Sequence, residues 1–152
     1  MIITFIGHSK LPSHANLSEN LEKAILQKLP LNENVSFYCG GYGEFDLLCA
    51  KVCRAIAAKR ERCEVLLITP YITESAQKKL AEIKKTKLYD DIIYPPIERT
   101  PLRLAILKRN EWMIAESNLV IAFVTHSFGG AYKALEFARR KGKPILNLAL
   151  DD

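Results

Sequence analysis

No apolar run in this 152-residue chain approaches the roughly 20 residues that span a bilayer, so a transmembrane helix is excluded. Residues 1–6 carry no basic n-region and no cleavage site, and they read as a strand rather than a leader; a cytoplasmic protein is expected. None of the four cysteines, Cys39, Cys49, Cys53 and Cys63, forms a Cys-x-x-Cys pair. Cys49 and Cys53 share a helical face, but no histidine nearby completes a zinc set. No metal is expected, and the thiols read as small buried residues of a reduced protein. The glycine loops complete neither the Gly-x-Gly-x-x-Gly dinucleotide spacing nor the Gly-Lys-Ser/Thr end of a P-loop, so no cofactor is assigned. His8 and His126 lack the Ser or Cys spacing that names a nucleophile. Linkers, repeats and low-complexity tracts are absent too, which leaves residues 1–152 as one domain.

The composition is ordinary for a globular chain, 49% hydrophobic and 26% charged. A chain of this length buries roughly two thirds of its unfolded surface and needs no disulfide or metal staple. A net charge of +5 favours anionic partners without selecting among them. Basic residues gather at Lys59-Arg60-Glu61-Arg62 and at Lys78, Lys79, Lys84, Lys85 and Lys87, both expected as solvated helix faces. No aromatic residue interleaves the second cluster before Tyr89, as a single-strand platform would prefer.

Strand and helix signals alternate. Short apolar runs at 2–6, 35–39, 65–68, 119–124 and 144–148 predict strands, and 91–94 reads as a short strand or an extended loop. Helical spacing predicts helices at 17–29, 44–59, 74–85, about 101–117 with Thr100 as N-cap and Pro101 at its first position, and 130–141 with Gly142 as C-cap. Continuously apolar strands mean that both sheet faces are covered, which points to a parallel sheet between helix layers.

Ligands of such sheets bind outside the strand C-termini. Three turns fall there: Gly7-His8-Ser9, Gly40-Gly41-Tyr42-Gly43, and Ser127-Phe128-Gly129-Gly130. The last opens a helix whose free N–H groups suit an anion. Asp46 is placed to accept a ribose hydroxyl, Ser127 to donate to a phosphate, and Thr69 and Pro70 to border a base or sugar. His8 and His126 follow strands and line the same region. Arg109 sits within the stripe Leu102, Ala105, Ile106 and Met113, so its guanidinium needs an anion, a cleft edge or a structural ion pair. The same helix has a second apolar face, Leu104, Leu107 and Ile114, which suggests a homodimer.

Taken in order, Phe5-Ile6-Gly7-His8-Ser9, Gly40-Gly41-Tyr42-Gly43-Glu44-Phe45-Asp46, Ile68-Thr69-Pro70-Tyr71, Lys108-Arg109-Asn110-Glu111-Trp112 and Thr125-His126-Ser127-Phe128-Gly129-Gly130-Ala131 resemble the SLOG superfamily, in particular its small YpsA-like bacterial branch. The resemblance implies an α/β, Rossmann-like three-layer αβα sandwich with a mainly parallel sheet of about five strands. It also implies nucleotide-derived ligands. LOG-type phosphoribohydrolases of the superfamily carry an arginine before the fourth strand and a Pro-Gly-Gly-x-Gly-Thr-x-x-Glu motif after it. Arg109, Gly129, Gly130 and Glu136 match these positions, so the resemblance makes Glu136 and Arg109 the catalytic candidates. Phe128, Tyr132 and Lys133 replace the proline, third glycine and threonine, with Lys133 supplying charge at the phosphate cradle. Binding therefore carries over further than hydrolysis. The C-terminal third also resembles deoxyribosyltransferases.

The leading expectation is binding, as a sensor, of a nucleotide or a nucleotide-derived small molecule such as an ADP-ribose-like ligand in a cleft at the strand C-termini. One alternative is an N-glycosidic hydrolase or deoxyribosyltransferase-like enzyme using Glu136. The other is a DNA-associated protein, since some members of the superfamily handle DNA and the chain is basic.

Overall fold

The computed structural model describes residues 1–13 and 16–150. Six strands form one sheet: β1 (Ile2–Gly7), β2 (Val35–Cys39), β3 (Cys63–Ile68), β4 (Asp91–Ile93), β5 (Leu119–Phe123) and β6 (Ile145–Asn147). Between them lie α1 (Leu17–Lys28), α2 (Glu44–Lys59), α3 (Glu74–Lys85), α4 (Ala105–Glu116) and α5 (Gly129–Arg140). All strand pairs are parallel, in the order β4-β3-β2-β1-β5-β6.

Helices cover both faces, as the apolar strands require. On one face Ile3, Phe5, Phe37, Ile121 and Phe123 pack with Leu21 and Ile25 of α1 and with Phe45, Cys49 and Ile56 of α2. On the other, Ile6, Val120 and Ala122 meet Ile114 of α4 and Ala134, Leu135 and Ala138 of α5. Every residue of β5 is buried, which explains why Leu119-Val120-Ile121-Ala122-Phe123 reads as apolar without alternation. No helix among the described residues is long and apolar enough to cross a membrane.

The strand expected as either strand or loop is β4, which makes six strands rather than about five. Its three residues are too few for periodicity to show. A fixed corner secures it: Arg54 donates to both Asp90 carboxylate oxygens at 3.2 Å, and Asp90 accepts from the Val65 amide at 2.8 Å.

The helix expected from Pro101 begins instead as a 3-10 turn at Leu102–Leu104, without a side-chain cap from Thr100. Its apolar stripe is also redistributed. Ala105, Arg109, Met113 and Ile114 are buried, whereas Leu102 is 62% and Ile106 39% exposed. Ile114, from the face that suggested a dimer, packs on α5 within the chain. Leu104 and Leu107 of that face are half-buried. The thiols of Cys39, Cys49 and Cys53 are buried and free, and burial pushes those of Cys49 and Cys53 up.

Candidate functional site

The chain direction across the sheet reverses at β1. It proceeds to β2 on one side, and β5 returns on the other, with Gly7 opposite Phe123. Loops leaving β1 and β5 therefore diverge and open a crevice at their C-terminal ends. A cleft of about 690 Å³ lies there.

Of the residues expected at the site, Gly7, His8 and Ser9 line the cleft from β1, and His126, Gly129 and Gly130 line it from β5 and α5. Tyr42, Asp46 and Arg109 complete that set. Gly40, Gly41, Gly43, Thr69, Pro70, Ser127, Lys133 and Glu136 are not among its described lining residues. Thr69 is buried and turns its hydroxyl to the Tyr71 carbonyl at 2.9 Å. Lys133 is exposed on α5. Glu136 is engaged elsewhere, its carboxylate accepting from Arg139 one turn on. Arg109 and Glu136, paired by the family resemblance, are thus not brought together at the cleft.

Arg109 is only 2% exposed. Its Nη1 donates to the carbonyls of Gly40 and Ile68, at the ends of β2 and β3, and its Nε donates to Asn110 Oδ1 at 2.9 Å. Backbone carbonyls, more than any carboxylate, are what its place in the stripe required. A side chain at Gly40 would come within 2.9 Å of Asp46 Oδ2 and 3.1 Å of Arg109 Nη1, so glycine makes this clamp possible. Asp46 accepts from the Tyr42 amide at 3.0 Å. Burial raises its pKa to about 6, against the opposing pull of Arg109 and of that amide.

At the cleft mouth three rings gather. His8 and His126 have centroids 4.0 Å apart, and His126 and Phe128 3.9 Å apart, both edge-on. His8 Nε2 accepts from the Thr125 amide at 3.0 Å, which fixes that nitrogen as unprotonated. Burial, and then the neighbouring His126, pushes the His8 pKa down. Phe128 is 69% exposed.

Behind Phe128, α5 starts in the open. Phe128 is its extended N-cap residue with no side-chain cap, and the first turn holds no acid. Gly129 takes φ 87°, the left-handed turn that glycine permits. A Cβ at Gly130 would meet no described atom within 4 Å. The amide groups of this first turn have no intrahelical partner, and the helix dipole polarises them positively.

Lys10, Ile106, Asn110 and Phe128 also line the cleft and were missed. Lys10 directly follows the first turn, so the sequence held a signal for it. Phe128 was read as part of the third turn and as a departure from a motif proline, not as a contact residue. Its exposure beside two histidines follows from the packing of loops far apart in sequence.

Chemically, the cleft offers aromatic edges and faces, helix-start amides and a cation, and the carboxylate among its described lining residues is that of Asp46, which accepts from the Tyr42 amide.

No protein-family model matches the chain. No curated protein matches it either. Two solved structures are similar over nearly its whole length. One is DNA processing protein A from Helicobacter pylori, described for its single-stranded DNA binding mode, with a TM-score of 0.61 and 14% identity over 100% of this chain and 67% of that one. The other is the X-ray structure of DNA processing protein A from Streptococcus pneumoniae, with a TM-score of 0.61 and 17% identity over 98% of this chain and 51% of that one. The chain thus spans about two thirds of the first and half of the second. At these identities the likeness establishes the fold: a Rossmann-like α/β sheet. It also overturns the leading sequence expectation, a sensor of nucleotide-derived small molecules, because both neighbours are DNA-processing proteins.

Proposed function

We propose that this chain binds single-stranded DNA along the cleft at the ends of β1 and β5. The observation that carries the reading is the mouth of that cleft. A largely exposed Phe128 ring stands edge-on against His126, which in turn meets His8, directly in front of the uncapped start of α5. Single strands are held by such a combination, bases on aromatic rings and phosphates on amides and cations. A duplex keeps its bases stacked inside and cannot use the rings. Lys10 on the lining supplies charge, and the net charge of +5 draws a polyanion toward the surface. The resemblance to the SLOG superfamily agrees with this reading, since some of its members handle DNA. No hydrolytic step is assigned, with Glu136 turned to Arg139.

Fluorescence anisotropy with a labelled oligothymidylate, and with a duplex of equal length, tests the proposal. The expected outcome is saturable binding of the single strand, weaker binding of the duplex, and loss of about 1–3 kcal/mol of affinity in Phe128→Ala. Absence of binding to any single strand at protein concentrations of about 100 µM, where even weak non-specific binders respond, would sink it.

A further inference from the structure

One wall of the cleft holds an arrangement that the proposed function does not use. Tyr42, in the loop after β2, lines the cleft, and its ring meets Tyr71, in the loop after β3, edge-on at 6.1 Å. Lys79 of α3 places its Nζ 3.5 Å from the Tyr42 ring centroid, and the Arg109 guanidinium lies 5.7 Å from the same centroid. Lys79 has no acidic partner within 4.0 Å among the described residues, unlike Lys85 and Lys108, which pair with Glu82 and Glu111. Its stem is long enough to carry the ammonium into solvent, yet the ammonium is held against a ring, near a second cation. Like charges destabilise one another, and the desolvation of Lys79 and the charge of Arg109 both push its pKa down. A phosphate settling beside Lys79 would relieve both penalties.

The N-terminus of α3 does not compete for that anion. Its cap is filled by the Thr73 hydroxyl, which accepts from the Ala76 amide at 3.3 Å, and Glu74 occupies its first turn. On either side of Lys79 the helix carries further lysines, with Lys78 and Lys84 exposed. On the opposite side of the cleft the chain after β6 is Leu148-Ala149-Leu150, which carries no cation.

We propose that Tyr42, Tyr71 and Lys79 form a second contact station for the sugar-phosphate backbone of a single strand, so that the strand leaves the cleft across the ends of β2 and β3 toward α3. This rests on the strand-binding reading of the cleft and adds to it a direction and a longer site. Tyr42 acts here by holding Lys79 in place; the phosphate contact belongs to Lys79.

The test compares oligothymidylates of about four and about sixteen nucleotides, short enough to fill only the cleft and long enough to pass the corner. Anisotropy titrations over a range of salt concentrations would use the wild type, Lys79→Ala, Lys79→Arg, Tyr42→Leu and the distant α1 variant Lys23→Ala. The expected result is that Lys79→Ala weakens the long oligomer about fivefold and shallows its salt slope by about 0.7, the value of one lost single-strand phosphate contact. The short oligomer should bind Lys79→Ala as it binds the wild type. Lys79→Arg should restore the slope, Tyr42→Leu should reproduce the loss in part, and Lys23→Ala should change neither. Equal weakening of both oligomers, or an unchanged slope in Lys79→Ala, overturns the second station while leaving the cleft reading in place. Failure of the wild type to bind either oligomer removes both.

Discussion

Arg109 donates to the carbonyls that end β2 and β3, which lie 69 and 41 residues away in the chain, so one guanidinium fixes the two loops that carry Tyr42 and Tyr71. A lysine keeps the charge but has no planar fork to serve two carbonyls and Asn110 together. Arg109→Lys is expected to cost about 2–4 kcal/mol in urea unfolding, because buried acceptors lose their donor. A loss below about 0.5 kcal/mol, the range of ordinary surface changes, would contradict this role. Asp46 makes a second prediction, of pH dependence. Its folded pKa of about 6 lies above the ordinary carboxylate value of 3.8, so the folded state holds its proton more tightly than the unfolded chain does. Its stabilising contribution is then complete below about pH 4 and is lost as pH rises through about 6. Relative to Asp46→Asn, which removes this titration, the wild type should lose about 1–3 kcal/mol between these limits, read from urea midpoints at several pH values. A difference that is flat in pH would count against the raised pKa.

Helix starts, more than helix bodies, make the site. The sequence located the start of α5 within one residue, because the glycine pair is a local turn signal. It misplaced the start of α4, where a 3-10 turn precedes the helix, because the Thr100 side chain caps nothing and the Leu104 amide bonds back to the Pro101 carbonyl at 2.8 Å. At α5 the two glycines differ in kind. Gly129 needs its φ of 87°, whereas a side chain at Gly130 would meet no described atom. Gly130→Ala should therefore leave thermal stability unchanged or slightly raised, since alanine is the better helix former by up to about 1 kcal/mol. The same substitution should weaken strand binding, because the methyl group occupies space that a phosphate would approach. A variant that melts earlier and binds normally would reverse the assignment. Glu136, two turns into α5, was legible as a motif match but not as a neighbour; its pairing with Arg139 is set by which side of the helix meets the sheet.

Across the whole molecule, the reversal of strand order at β1 puts the cleft where the fold leaves a crevice, and Lys10 on its lining and a net charge of +5 favour a polyanion there. If a bound strand contacts about three phosphates, the logarithm of affinity should fall with that of salt concentration at a slope of about −2, measurable by anisotropy at several ionic strengths. A salt-independent affinity would mean that phosphates are not the contact. The alternation of strands and helices, the parallel sheet and the three turns at strand ends were determined by sequence alone, because periodicity and turn chemistry act between residues a few positions apart. The same locality explains what was missed. The place of β4 depends on Arg54 meeting Asp90, and the carbonyl partners of Arg109 come from two other segments. The aromatic mouth exists only because His8 and His126, 118 residues apart, are brought within hydrogen-bonding distance. Such contacts have no signature in the spacing of nearby residues. Tertiary packing alone decided them, and with them the shape of the surface offered to a ligand.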